Sequence, residues 1–351
     1  MKKIIRAFQR TSFARHAIER VWRPVYDIFF TYILNFRGRK ALKSFELGHR
    51  TTNPLNHGAG RPVSPFFLWR DEEVVAKIAR LVSRDIPAER LISIKENALR
   101  RRSNVGFTTD ISGILTAETR ETMLLSLVTP AMMDYMCSYF KFVPRFESLM
   151  LLYNYPIPGL AEEGSKAWHR DEGDADYKQI KVFVPLTTGD EESGPFHYLD
   201  APDISFNSML PPNSVRESWL GGRVENSTVE ALGSRAKINK VVGPPGTILA
   251  IDTVTVYHKG GFCRSRDRLM LQMCFQGEGY SANEFQKAEL LSGRSAKEFA
   301  SKIGDSRIAF SFAIPPFRPV ERTTLKRIVG PVKKFLYLLN RRVFSYYISV
   351  R

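Results

Sequence analysis

Two textures divide this chain near residue 148. Before it, apolar residues recur at helical spacing; after it, they fall in short runs cut by Gly, Pro and Asp. Asp71, Glu72 and Glu73 precede Val74, Val75, Ile78 and Val82. That order predicts a helix opening at Asp71, its acids placed where the helix dipole favours them. Further helices are predicted near Glu118–Leu127 and Pro130–Tyr139. Thr51 to Pro65, rich in Asn, Gly and Pro, reads as a loop or linker. Gly106 to Ile114 matches neither period. From 148 onward, SLMLLYNYP, YKQIKVFVPL, SGPFHYL, GTILAID and DRLMLQMCFQ are strand-length and bounded by turn residues. They predict an antiparallel sheet or barrel. The chain carries no internal repeat and no low-complexity tract.

Composition adds bounds to this picture. The chain has 351 residues, 43% hydrophobic and 12% aromatic, enough for a sizeable core and against global disorder. Its length allows one large domain with appendages, or two smaller ones. The 3 cysteines, Cys137, Cys263 and Cys274, are too scattered for a disulfide framework or a paired-thiolate zinc site, so a reducing compartment is expected. They read as small buried residues. No Walker loop or dinucleotide glycine pattern is present.

The formal net charge of +16 is unevenly placed. Residues 1–40 hold ten basic and two acidic side chains, residues 322–351 hold eight basic and none acidic, and the stretch between is balanced at 34 of each. The ends therefore carry the attraction for an anionic partner. The amino-terminal stretch lacks the apolar run and cleavage site of a secretory signal. The run Ile28–Phe36 is about half the roughly 20 residues of a membrane span. At the other end, Leu325, Ile328, Val332, Phe335, Leu336, Leu339 and Val343 recur at helical spacing, with Lys326, Arg327, Lys333, Lys334, Arg341 and Arg342 largely off that stripe. This pattern suits a helix lying on an anionic membrane surface; an apolar face packed on the domain accounts for it equally well. Without a zinc finger or Gly-rich RNA motif beside them, the ends argue against nucleic acid as the partner. A cytoplasmic protein is expected, with the inner face of the membrane as its candidate peripheral surface.

The candidate chemistry lies in the strand region. His169 and Asp171, in WHRD, are two apart and share a face of an extended strand. With His258 from another strand they can form a two-histidine, one-carboxylate metal face. Such a face keeps opposite positions open and suits non-haem Fe(II), which must bind O₂ and a co-substrate. Zinc accepts the same donors. On the strand beginning at Arg268, Arg268, Met270 and Gln272 alternate to one face. A buried Arg is costly unless paired, and its planar guanidinium grips carboxylates in two-point fashion. Arg266 is the alternative anchor if the register slips by a step. His197 lies apart from both ligand motifs and reads as structural, while Trp168 and Tyr257 read as packing beside the ligands.

These motifs together resemble the phytanoyl-CoA dioxygenase family of Fe(II)- and 2-oxoglutarate-dependent oxygenases. The matching text is YNYPIPG, WHRDEGD, KVFVPLTTGDEESGPFHYL, PPGTILAIDTVTVYHKGG and the strand from Arg268, spanning about 148–276. The resemblance implies a mainly β fold with flanking helices: a double-stranded β-helix (jelly-roll, cupin-like) barrel with a helical N-terminal part. It implies His169, Asp171 and His258 as iron ligands and Arg268 as the anchor of 2-oxoglutarate, with Asn154 as polar support. It further implies O₂ as co-substrate and release of succinate and CO₂. Related halogenases replace the acid by a small residue, so Asp171 favours hydroxylation. One departure is the DAPD that follows FHYL, where relatives often carry a Pro-Gly-Ser-His turn.

The expected layout is a basic segment 1–45, a helical support region 46–147, a core 148–280 with a lid or insert at 200–242, an extension 281–321 and a basic amphipathic helix 322–351. The expected substrate is a small molecule, lipid or lipid-linked compound hydroxylated at an unactivated carbon. Two rivals come from other classes: a membrane-associated barrel scaffold without turnover, and a zinc-bound barrel protein using the same ligands. The second gives Arg268 no task.

Overall fold

A computed structural model describes residues 36–48, 64–100, 108–157, 166–171, 179–200, 224–231, 237–277 and 304–313. All of them lie in the first of two compact units, Met1–Ile314. The basic termini 1–35 and 322–351, the loop 51–63 and most of the insert 200–242 lie outside the described residues.

The elements in chain order are α1 (Phe36–Gly48), β1 (Phe66–Arg70), α2 (Glu72–Asp85), α3 (Ala88–Arg100), β2 (Thr109–Asp110), a 3₁₀ turn (Ser112–Ile114), α4 (Ala117–Leu127) and α5 (Pro130–Phe140). They continue with β3 (Arg145–Asn154), β4 (Gln179–Pro185), β5 (Phe196–Asp200), α6 (Asn226–Glu230), β6 (Lys237–Lys240), β7 (Thr247–Asp252), β8 (His258–Gly260), β9 (Arg268–Gln276) and α7 (Ser306–Ala313). Local chemistry sets the helix starts. The Asp71 carboxylate accepts from the Val74 amide at 3.0 Å, and the Thr116 and Thr129 hydroxyls cap α4 and α5 in the same way, each at 3.2 Å. Such caps satisfy amides that the first helical turn leaves without partners. Pro130 stands in the first turn of α5, where its missing N–H costs nothing. The helix ends where Lys141 turns left-handed, with φ 68°.

Two antiparallel sheets carry the site. One has six strands in the order β1-β7-β4-β9-β3-β2, the other three in the order β6-β5-β8. The central strands of the larger sheet are covered on both faces. On one side Leu151, Val182, Ala250 and Met273 pack with Ile78 of α2, Met123 of α4 and Phe140 of α5. On the other, Phe183, Leu249, Ile251 and Met270 meet Phe196 and Tyr198 of the smaller sheet. The Phe183 and Phe196 rings lie 4.4 Å apart, centroid to centroid. Strand alternation thus sends one residue set to the helices and the next to the space between the sheets. Isolated bridges, Trp168↔Val224, His169↔His258 and Gly189↔Gly243, lie outside the two sheets' ladders, and no continuous closed ladder joins the sheets among the described residues.

The five strands expected after residue 148 all form, and β3 starts three residues earlier than its motif, at Arg145. The segment 46–147 is not helical throughout. Phe66–Arg70 pairs with β7 in the register Phe66↔Ile251 to Arg70↔Thr247, as the edge of the main sheet. α3 is also additional; it buries no residue fully, so its sequence carries only a shallow stripe. In the extension 281–321, α7 stacks Phe312 on Phe146 at 4.5 Å. Among the described residues no helix is long and apolar enough to cross a membrane.

Candidate metal centre

His169 and His258 face each other across an antiparallel bridge. The His169 amide donates to the His258 carbonyl at 3.0 Å and the His258 amide returns the bond at 2.9 Å. Residues that exchange both bonds project their side chains to the same side of the pair; the two rings lie 4.4 Å apart, centroid to centroid. Asp171, two residues beyond His169, turns its carboxylate to the same place. Its Oδ1 is 3.8 Å from His169 Nε2 and 3.9 Å from His258 Nε2. One donor atom from each residue falls within 4.8 Å of the others.

The backbone also fixes which ring nitrogens face inward. His169 Nδ1 lies 2.8 Å from the Ala167 carbonyl and His258 Nδ1 lies 3.0 Å from the Val256 carbonyl. A carbonyl only accepts, so each Nδ1 carries a proton and each ring turns its Nε2 toward Asp171. Burial, with His169 beside it, holds His258 down at about 3, so the ring is neutral at ordinary pH. Burial by itself would raise the Asp171 carboxyl. The Lys181 ammonium, 2.7 Å from Oδ2, and then His258 outweigh that and hold it below the usual carboxylate range.

A turn at the end of β7 supports this arrangement. Asp252, fully buried, accepts from the Val254 amide at 2.9 Å and from the Thr255 amide at 3.2 Å, and takes the Tyr139 hydroxyl at 2.5 Å. The turn aims Val256–His258 back toward the bridge and presents the Thr253 carbonyl to the Asp171 amide at 2.8 Å. Trp168 is buried under the Lys259 ammonium, 5.4 Å from the ring centroid. Tyr257 is buried against the Arg170 guanidinium at 5.1 Å. Both flanking aromatics are thus packed beside the donor histidines.

Arg268 opens β9 on the same face as Met270, toward the space between the sheets. It is 5% exposed, and its Nε and Nη1 have no hydrogen-bond partner among the described residues. Asn154 is its direct cross-strand neighbour in β3 and accepts from the Thr108 hydroxyl at 2.7 Å. Arg266 goes elsewhere: it is more than half exposed and pairs with Asp190. The buried Lys166 ammonium donates to the Gly261 carbonyl at 2.8 Å. Burial, and then the nearby Arg268, bring it down to about 7. His197 points away on β5, its ring edge-on to Trp168 at 6.2 Å, outside the donor cluster.

Lys181 and Lys166 were not among the residues singled out from the sequence. Lys181 had a signal: it is the one charge inside QIKVFVP, at a position alternation turns inward. Lys166 had none, because SKAW gives no hint of burial.

No family model matches the chain, and no curated protein matches it significantly. Among solved structures, it is similar to the non-heme monooxygenase ThoJ in its apo form, at 16% identity and TM-score 0.38 over 62% of this chain and 75% of that one. It is similar to EctD from S. alaskensis with 2-oxoglutarate and 5-hydroxyectoine, at 12% identity and TM-score 0.38 over 65% and 82%. A third is the epimerase SnoN in complex with Fe³⁺, alpha ketoglutarate and nogalamycin RO, at 13% identity and TM-score 0.33 over 60% and 87%.

Proposed function

We propose that the protein is an Fe(II)- and 2-oxoglutarate-dependent oxygenase of the phytanoyl-CoA dioxygenase type, built on a double-stranded β-helix core. The observation that carries the reading is the pairing of two features in one interior. Two imidazoles and a carboxylate converge with their donor atoms together, and a buried guanidinium on the same side of the main sheet has two nitrogens without partners among the described residues. The donor set fits a divalent non-haem metal with open positions. The guanidinium fits the distal carboxylate of a dicarboxylate, because a buried Arg is otherwise an uncompensated charge. Zinc hydrolysis would use the first feature and leave the second without purpose.

His169, Asp171 and His258 would hold the metal, which when bound supplies the oxidative chemistry with O₂ and 2-oxoglutarate. The chain's own part is geometric and electrostatic. The Nδ1–H bonds to Ala167 and Val256 keep both rings in one tautomer and orientation. Arg268 would fix the co-substrate by its far end, with Asn154 beside it in the sheet. Phe183, Phe196, Leu249 and Met270 line the space between the sheets with apolar surface and limit water there.

Hydroxylation of an unactivated carbon in a small, lipid or lipid-linked substrate is the reaction we assign, supported by Asp171 standing as a donor. The basic segments at both ends give a candidate attachment to an anionic membrane surface. The test is an anaerobic titration of metal-free protein with Fe(II), with and without 2-oxoglutarate. A visible charge-transfer band is expected only when both are present. Folded protein that binds metal without such a band returns the site to the zinc or scaffold reading.

A further inference from the structure

The two oxygens of Asp171 have different neighbours. Oδ1 faces His169 Nε2 and His258 Nε2 at 3.8 and 3.9 Å. Oδ2 faces the Lys181 ammonium at 2.7 Å. Lys181 sits on β4 between Ile180 and Val182, both fully buried against the helices, so alternation turns it to the opposite face with Phe183. It enters a region whose other strand residues are mostly apolar. An ammonium placed there requires an anion beside it, and the one beside it is the carboxylate of the donor cluster.

This matters because a carboxylate can give a metal one oxygen or two. With two imidazoles, a two-oxygen carboxylate would leave two positions of a six-position shell. A dicarboxylate binding through two atoms would then fill the shell. A one-oxygen carboxylate leaves three positions, enough for that chelate and one further small ligand. We propose that Lys181 is a positioning residue: by holding Oδ2, it restricts Asp171 to one-oxygen coordination and keeps the third position open. The inference rests on the metal reading given above and extends it to a residue outside the ligand set.

The experiment uses the full chain with Co(II), whose d–d absorption reports coordination number, and needs no turnover. Lys181→Met keeps the stem and removes the ammonium. With the ammonium gone both Asp171 oxygens are free to bind, so a higher coordination number, read as altered d–d bands, is expected. Lys181→Arg, which keeps a cation at Oδ2, is expected to restore the wild-type bands. Wild-type Co(II) bands in Lys181→Met would overturn the proposal, because Asp171 would then coordinate in the same way without the ammonium. Failure of Lys181→Arg to improve on Lys181→Met would overturn it too.

A second measurement covers a Lys181→Met variant that does not fold. Infrared difference spectra of wild-type protein carrying ¹³C-labelled aspartate, with and without Zn(II), report the splitting of the carboxylate stretches. A wide splitting, as for one-oxygen coordination, is expected; a narrow chelate splitting overturns the proposal. Wild-type protein that binds no Co(II), or Asp171→Ala that binds it as well as wild type does, would instead remove the metal reading itself.

Discussion

His169 and His258 are joined by two reciprocal backbone hydrogen bonds, of 3.0 and 2.9 Å, so the position of one ring is set by the position of the other. The donor cluster is in this sense a property of the bridge between the segment before β4 and the strand β8. Removing either side chain leaves the bridge intact. His258→Ala should therefore remain folded and lose metal by more than the roughly 10–100-fold expected for an outer partner. Equilibrium dialysis with Co(II), alongside far-ultraviolet circular dichroism, checks both halves of that statement.

Arg268 leads to a prediction with opposite signs in two assays. Without an anion the guanidinium is buried with two nitrogens unpaired among the described residues, which costs stability. Arg268→Met keeps much of the volume and removes the charge, so the metal-free protein should melt at a higher temperature than wild type. The same substitution should weaken 2-oxoglutarate binding by about 2–5 kcal/mol, the usual cost of truncating one side of a buried charge pair. Thermal melts with and without metal and 2-oxoglutarate separate the two effects. A variant that melts lower and still gains from 2-oxoglutarate would contradict both.

Much of this site was legible in the sequence because it rests on period two. His169 and Asp171 sit two apart, and Arg268 alternates with Leu269 on a strand whose ends are marked by Asp267 and Gly277. What the sequence hid depends on pairing between distant segments. Phe66–Arg70 is five residues long and gains its identity as a strand from β7 alone. α3 follows Pro87 with a stripe that buries nothing completely. Lys181 stands out as the one charge in QIKVFVP, but its partner Asp171 comes from a separate segment that only the fold brings to it. The different surroundings of Arg266 and Arg268 likewise come from partners remote in sequence: Asp190 takes Arg266, and β3 places Asn154 opposite Arg268.

Gly194 offers a test of how the loops beside the site are held. Its φ is +69°, and an added Cβ would lie 2.2 Å from the Phe262 carbonyl oxygen. Both the backbone conformation and the space require glycine. At Gly261 an added Cβ would likewise lie 2.4 Å from the Pro195 carbonyl oxygen, and the Gly261 carbonyl takes the Lys166 ammonium. Gly194→Ala should cost more than about 1 kcal/mol of stability, read by urea unfolding, with the loss also appearing as weaker 2-oxoglutarate binding through the displaced 261–263 loop. Wild-type stability in this variant would mean that the two loops part easily.

His197 gives a pH dependence whose sign follows from its surroundings. Burial, then the Lys259 and Lys240 ammonium groups, bring it from 6.5 down to about 4, with Glu191 opposing. Between these two values the unfolded chain binds a proton that the folded chain refuses, so acid favours unfolding. The contribution is complete above about pH 6.5 and is lost as the pH falls toward 4. One such group can contribute a slope of at most about 1.4 kcal/mol per pH unit. His258 acts in the same direction, so the wild-type curve alone cannot assign the effect. His197→Gln removes one titration and leaves the donor cluster in place. Its urea-unfolding free energy, followed from pH 7 to pH 4, should fall less steeply than that of wild type; parallel curves would mean that His197 is as easily protonated in the folded chain as in the unfolded one.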